Sequence, residues 1–190
     1  MRYTWKMNSN LLVVLTDGGI QKIDGKLKSS PKGLQRMAAA INEATRLKDA
    51  DIMISGGQRP NPKNSEAQLL YNDVAPALVR LEKYHHIKTF VQAEGRCTVD
   101  DMRALTLWLK SHPYAKIKIT AHPDHAELAA HALVCCGVKT PIETLLTGEE
   151  SPYNTFELAI LGFLSAVDPL WQTPLSWPLR LVVGFRGSGE

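Results

Sequence analysis

The chain has 190 residues, enough for one domain in which helices cover both faces of a sheet. Its 44% hydrophobic and 22% charged residues are ordinary for a soluble globular protein, and a net charge of +3 does not indicate a nucleic-acid surface. Residues 1–10 lack the apolar core of a signal peptide, and the longest late apolar stretch, about 158–167, falls short of the roughly 20 residues of a membrane span. We therefore expect a cytoplasmic protein with no membrane span.

Four short apolar runs each stop abruptly at a loop of small or polar residues, and each loop is followed by a helix-like pattern. The runs are Leu11–Leu15, Asp51–Ile54, Thr89–Gln92 and Lys116–Ile119, and a fifth strand is predicted at Ile142–Leu146. Strands that alternate with helices imply crossover connections and a mainly parallel sheet. The predicted fold class is therefore a doubly wound α/β domain with three layers, α/β/α, and about five strands.

The first two predicted helices begin at recognisable caps. Residues 21–30, rich in Lys, Gly and Ser, are expected to be a flexible stretch, and Ser30 followed by Pro31 then marks the start of the first helix. Ser65 is expected to cap the second helix. Pro76 lacks an N–H and clashes with the preceding turn, so that helix should break or kink there.

The later elements follow the same pattern with weaker signals. Thr98 with Asp101 resembles a capping box that opens the third helix, and Asp124 is expected to cap the fourth. A further helix is predicted over about 155–167. Residues 168–190 are predicted to form an irregular tail, with a candidate last strand at 181–183.

The loops after the strands should form one binding site, because ligands bind outside the carboxyl ends of the strands in an open parallel sheet. The first loop carries Thr16 and the run Asp17-Gly18-Gly19, and the second carries Ser55-Gly56-Gly57. Glycine tolerates positive φ and lets a ligand approach the main chain closely, so both loops are candidates for ligand contact. Arg36, near the start of the first helix, lies within reach of the first loop.

Glu94 ends a strand that should be buried and points to the shared crevice. A carboxylate there is a ligand acceptor, a base, or half of an ion pair with Arg96 or Arg103, and we favour ligand contact. Cys97 and Arg103 have the spacing of the cysteine phosphatases. That interpretation is rejected because Asp100 and Asp101 would sit where a phosphate must be cradled.

The loop after the fourth run, which begins at Thr120, holds the one concentrated pair of imidazoles. His122 and His125 flank Asp124, and histidine serves as an acid, a base or a metal ligand near neutral pH. The three side chains together are a candidate site for a divalent ion, although their spacing alone is weak support for metal binding.

Several of these motifs, in this order, resemble one known family. They are Val13-Val14-Leu15 with a glycine pair, Arg36, Ile54-Ser55-Gly56-Gly57, Ser65-Glu66-Ala67, Glu94 with Thr98, and a late Thr/Ala–His loop before an Ala-rich helix. The chain resembles the SanA/YdcF/ElyC-like group, a bacterial family of unknown function, over about residues 11–165.

The resemblance implies a Rossmann-like domain and a nucleotide-like or S-adenosylmethionine-like ligand, and some members are linked to the bacterial envelope. Glu66, Glu94, Thr98 and His125 match the polar positions of the family, whereas Asp101 replaces an Asn and Leu128 replaces an Arg. With the loops, the resemblance gives a full set of candidate ligand-binding residues: Asp17, Gly18, Gly19, Arg36, Ser55, Gly56, Gly57, Glu66, Thr98, Asp101, Thr120 and His122.

We therefore expect a protein that binds a small polar ligand at the carboxyl ends of the strands, with hydrolysis or group transfer as the reaction if it is an enzyme. Glu94 and His125 are the candidate acid and base. A non-catalytic ligand sensor or envelope-assembly partner is one alternative, and a metal-dependent hydrolase built on His122, Asp124 and His125 is another. The substrate and the oligomeric state are not set by the sequence.

Overall fold

The computed structural model describes residues 9–16, 20–57, 65–93, 95 and 98–147. Within these ranges a five-stranded parallel sheet is covered by two helices on each face, which confirms the predicted fold class. The elements in chain order are β1 (Asn10–Leu15), β2 (Ile20–Ile23), β3 (Lys26–Ser29), α1 (Pro31–Leu47), β4 (Ala50–Ser55), α2 (Glu66–His85), β5 (Thr89–Gln92), α3 (Thr98–Leu109), β6 (Lys116–Ala121), α4 (Pro123–Cys135) and β7 (Ile142–Leu146).

The sheet has the order β5-β4-β1-β6-β7, with β1 in the centre. Consecutive residues of β1 point to opposite faces, so this strand contributes to both hydrophobic cores. Leu11, Val13 and Leu15 pack with α3 and α4, whereas Leu12 and Val14 pack with α1 and α2. Burial on both faces explains why β1 is a continuous apolar run rather than an alternating one.

The helix starts agree with two predicted caps and correct two others. The hydroxyls of Ser30 and Ser65 each accept a hydrogen bond from a backbone N–H three residues later. At α4 the cap is His122, because Pro123 takes the first helical position, and the prediction of Asp124 as the cap was wrong. Helix α3 already includes Thr98, so Thr98 is not its cap.

Two further expectations differ from the structure. Helix α2 continues through Pro76, which lies on its exposed face, so the predicted break there is wrong. Residues 21–30 are not simply a flexible stretch, because β2 and β3 form an antiparallel hairpin there. Asp24 and Gly25 both have positive φ at its tip, as a tight two-residue hairpin turn requires.

Polar groups at the amino ends of the strands have partners. The two carboxylate oxygens of Asp51 accept hydrogen bonds from the Lys88 backbone N–H at 2.9 Å and from the Tyr114 hydroxyl at 2.8 Å. Burial, and then the Asp51 carboxylate, raise the pKa of Tyr114, so the phenol stays protonated and donates. The Asn10 side chain donates to the Asp49 carbonyl at 3.1 Å.

An ion-pair cluster lies on the α1 face of the sheet. The Lys118 ammonium lies 2.7 Å from a Glu43 carboxylate oxygen and 3.3 Å from Glu143 on β7, and Arg46 also binds Glu43. Hydrogen bonds from Arg46 and then Lys118 lower the pKa of Glu43 to about 2. The cluster fastens α1 to β6 and β7.

No helix in the described part of the chain is long and apolar enough to cross a membrane. The helix predicted over 155–167, the candidate strand over 181–183 and the tail from 168 lie outside the described residues.

Candidate functional site

The carboxyl ends of β1, β4, β5 and β6 meet along one edge of the sheet, and a row of buried polar side chains lies there. Thr16, Ser55 and Thr120 are 6%, 0% and 0% exposed, and their hydroxyl oxygens have no hydrogen-bond partner among the described residues. The amide oxygen of Gln92 at this edge also has no hydrogen-bond partner among the described residues. The hydroxyl of Ser29 likewise has none, but it lies away from this edge, at the base of the hairpin. A buried polar group without a partner is costly, so four at one edge of the sheet point to a ligand.

Thr16, Thr120 and Arg36 lie on the side of the sheet covered by α1 and α2. Thr120 pairs with Val14, whose side chain packs under α1, so both side chains point to that face. The guanidinium of Arg36 is fully buried and donates to the carbonyl of Leu15 at 2.7 Å. The Arg36 side chain therefore fixes the end of β1 on the same side of the sheet as the two hydroxyls.

Gly56 and Gly57 bring the backbone of the β4 loop against neighbouring groups. A Cβ on Gly56 would overlap the Thr16 hydroxyl, and the N–H of Gly56 donates to the Gln92 carbonyl at 3.2 Å. Gly57 has a φ of +42°, and a Cβ there would lie 3.3 Å from the Glu66 carboxylate carbon. Glycine is required at 56 by close packing and at 57 by the left-handed backbone, and Glu66 lies beside this loop.

Ser55, Gln92 and Asp101 lie on the opposite side, under α3 and α4. Ser55 and Gln92 are partners in the β4–β5 register, so their side chains share one face. The Gln92 amide nitrogen donates to the Asp101 backbone carbonyl at 2.7 Å. The Asp101 side chain is itself buried, at 7% exposed.

Thr98 and His125 are joined by a buried hydrogen bond. The Thr98 hydroxyl lies 2.8 Å from the Nε2 atom of His125, and the two side chains are 4% and 3% exposed. The bond connects the first turn of α3 to the first turn of α4. Two residues that the sequence places separately at the site are therefore in direct contact.

His122 and Asp124 do not join His125 in one cluster. The Nδ1 atom of His122 accepts the backbone N–H of Asp124 at 3.2 Å, and the Asp124 carboxylate lies 3.8 Å away and is 40% exposed. In the described ranges no three His, Cys, Asp or Glu side chains are grouped as a metal site requires. The position of His122 is explained by its role as the N-terminal cap of α4.

Four of the predicted site residues fall outside the described residues: Asp17, Gly18, Gly19 and Glu94. Arg96, the candidate ion-pair partner of Glu94, and Cys97 also lie outside them. Among the described residues, sequence reasoning missed Gln92, which it treated only as the last residue of a strand. A polar residue directly before a strand-end loop was the available signal.

A cavity of about 350 Å³ lies elsewhere, at the amino end of β5 between α2 and the residues after α3. Tyr71, Lys88, Phe90 and His112 line it. Since none of the strand-end residues borders this cavity, it is separate from the candidate site.

Comparisons with known proteins identify no family. No family model matches the chain, and no curated protein matches it. One solved structure, described as the U34-tRNA thiolase NcsA from Methanococcus maripaludis with its [4Fe-4S] cluster, matches with 15% identity and a TM-score of 0.38. The match covers 98% of this chain and 66% of that protein's length.

Proposed function

We propose that this protein binds a small, polar, nucleotide-like ligand across the carboxyl ends of β1, β4, β5 and β6. The observation that carries the proposal is the set of buried hydroxyls, Thr16, Ser55 and Thr120, that lack described hydrogen-bond partners. Hydroxyl groups both donate and accept hydrogen bonds, so they suit a ligand with mixed polar groups. The position agrees with the general location of ligands in open parallel sheets.

If the protein is an enzyme, we propose hydrolysis or group transfer with His125 as the acid or base. Its hydrogen bond to Thr98 fixes one ring nitrogen and so orients the imidazole. Glu94 is the proposed second acid–base group on the basis of its place after β5 in the sequence. The resemblance to the SanA/YdcF/ElyC-like group supports the ligand class and names no reaction.

A screen of thermal stability against nucleotides and S-adenosylmethionine tests the binding proposal. We expect at least one compound to raise the melting temperature of the full chain, and a Thr120→Val variant to reduce that shift. Val134→Thr, on the exposed surface of α4, is the matched control and should leave the shift unchanged. A hit with the same shift in Thr120→Val and wild type would place the ligand elsewhere.

The second candidate function is a non-catalytic ligand sensor or envelope-assembly partner that uses the same pocket. It is favoured by Leu128, which is 5% exposed and stands where the resemblance leads us to expect an Arg. Turnover of a ligand found in the screen, lost in His125→Ala, would support the enzyme. Binding without turnover would support the sensor, and a melting shift with Mn²⁺ or Zn²⁺ alone would support the metal-dependent hydrolase.

A further inference from the structure

The orientation of the Gln92 amide is set by its neighbour on α3. Its nitrogen donates to the Asp101 backbone carbonyl at 2.7 Å, and a carbonyl oxygen accepts hydrogen bonds but cannot donate them. A flipped amide would place two acceptors against each other, so the Nε2 atom must face Asp101. The Oε1 atom is therefore held as an acceptor, buried and with no hydrogen-bond partner in the described part of the chain.

Ser55 occupies the matching position on the adjacent strand. Ser55 and Gln92 are direct partners in the β4–β5 register and point to the same face, and Ser55 is fully buried. Its hydroxyl oxygen also has no partner among the described residues. A buried acceptor and a buried hydroxyl are thus carried by paired positions at the ends of two adjacent strands, without a hydrogen bond to each other.

We infer that Gln92 is a specificity-determining residue that accepts a hydrogen bond from a neutral hydroxyl or amino group of the ligand. The Ser55 hydroxyl then contacts the same part of the ligand. The inference rests on the proposed function and adds to it the kind of ligand group bound on the α3/α4 side. A phosphate oxygen does not fit against Gln92 Oε1, because two acceptor oxygens repel each other and the Gln92 oxygen would still lack a donor.

On the α1/α2 side of the sheet, the polar groups suit an anionic ligand group instead of a neutral one. Thr16 and Thr120 offer hydroxyl donors there, on the side of the sheet where the Arg36 guanidinium holds the end of β1, and hydroxyl donors suit an anionic group. A nucleotide-like ligand would therefore place its phosphate on the α1/α2 side and its sugar or base on the Gln92 side.

Titration calorimetry with four probes tests the inference: adenosine 5′-monophosphate (AMP), inosine 5′-monophosphate, 2′,3′-dideoxyadenosine 5′-monophosphate and inorganic phosphate. We expect Gln92→Met to weaken AMP binding about tenfold and to leave phosphate binding unchanged, since a lost neutral hydrogen bond is worth about one factor of ten. Weaker wild-type binding of the inosine compound would identify the amino group as the donor, and weaker binding of the dideoxy compound would identify the sugar hydroxyls.

Matched variants separate recognition from folding. Gln35→Met is the control, because Gln35 also donates its amide to a backbone carbonyl, that of Thr147, but is exposed. Its AMP affinity should equal that of wild type. If Gln92→Met does not fold, Ser55→Ala takes its place, with AMP binding weakened severalfold and phosphate binding unchanged as the expected result.

Two results would overturn the inference in different ways. Equal AMP affinity in wild type and Gln92→Met, or an equal loss of AMP and phosphate binding, would refute the role of Gln92 while leaving the proposed ligand class in place. If Gln92→Met does not fold, an unchanged AMP affinity in Ser55→Ala would refute the inference and leave the proposed ligand class in place. Failure of all four probes to bind the wild-type protein would refute the nucleotide-like ligand and, with it, the inference.

Discussion

The two ends of the parallel sheet differ in the hydrogen bonding of their polar groups. At the amino end, Asp51 satisfies both carboxylate oxygens with Lys88 and Tyr114, across a separation of 63 residues in the case of Tyr114. At the carboxyl end, Thr16 and Thr120 bury their hydroxyls without a described partner. The Asp51 carboxylate at one end of the sheet thus has hydrogen-bond partners, whereas the two threonine hydroxyls at the other end have none among the described residues.

The difference separates an end that contributes to stability from the end where we propose that the ligand binds. Groups with complete hydrogen bonds lower the free energy of the folded state, and their removal is costly. Buried groups without partners raise that free energy, so a protein that keeps several of them at one edge has a use for them there. Removal of a hydrogen-bonding side-chain group should therefore destabilise the protein at the amino end and not at the carboxyl end.

The largest effect is expected at the amino end, from Asp51→Ala. The change leaves the buried Tyr114 hydroxyl and the Lys88 N–H without their acceptor, at a cost of about 3 kcal/mol in the free energy of unfolding. Urea denaturation measures it. Tyr114→Phe, which removes the donor instead, should cost about 1 kcal/mol, and equal midpoints for Asp51→Ala and wild type would contradict the proposed contrast.

Gly56→Ala should come next, with a loss of about 2 kcal/mol, because the added Cβ would overlap the Thr16 side chain. Gly25→Ala is the matched control: it also has positive φ, but no heavy atom lies within 4 Å of its added Cβ, so it should cost only about 1 kcal/mol. Thermal or urea unfolding distinguishes the two. Equal losses would show that backbone strain alone, and not contact with Thr16, requires the glycine.

Glu43 gives a smaller, pH-dependent effect. Its pKa is lowered from 4.5 to about 2 in the folded protein, by Arg46 first and Lys118 second. The stabilisation is therefore complete above the unfolded-state value and is lost as the pH falls toward 2. Between these pH values wild type should lose about 1 kcal/mol more stability than Glu43→Gln, as measured by urea unfolding; parallel profiles would exclude a contribution from this ion pair.

The smallest effect has the opposite sign. Thr120→Val keeps the shape of a fully buried side chain and removes a hydroxyl without a described partner, so stability should stay equal or rise by about 0.5 kcal/mol. Calorimetric melting of the ligand-free protein measures the change. A clear loss of stability would mean that the hydroxyl is satisfied in the folded protein, and the contrast between the two ends would disappear.

The sequence predicts the sheet well because its signals are local. The central strand β1 is a continuous apolar run, and Ser30 and Ser65 cap helices through atoms only three residues away. The hairpin was missed because its charged residues suggested a flexible stretch, although Asp24-Gly25 is a strong turn signal. Pro76 was misjudged because its position on the exposed face depends on packing.

The sequence predicts only part of the candidate site, because some of its contacts join elements that are distant along the chain. Strand ends are local features, so Ser55, Thr120 and His125 were identified there. The bond between Thr98 and His125, and the pairing of Gln92 with Ser55, depend on the register of neighbouring elements. Residue type alone suggested a helix cap for Thr98 and nothing for Gln92.

Among the described residues, the hairpin of β2 and β3 is anchored at its base and open at its tip. The Ser29 N–H and the Lys28 ammonium both bind the Asp73 carboxylate on α2, each at 2.8 Å, whereas a side chain added at Gly25 meets no heavy atom within 4 Å. The tip is therefore a natural attachment point for a fluorescent label or an immobilising tag. A label there should leave the hydrogen bonds between the hairpin base and Asp73 undisturbed.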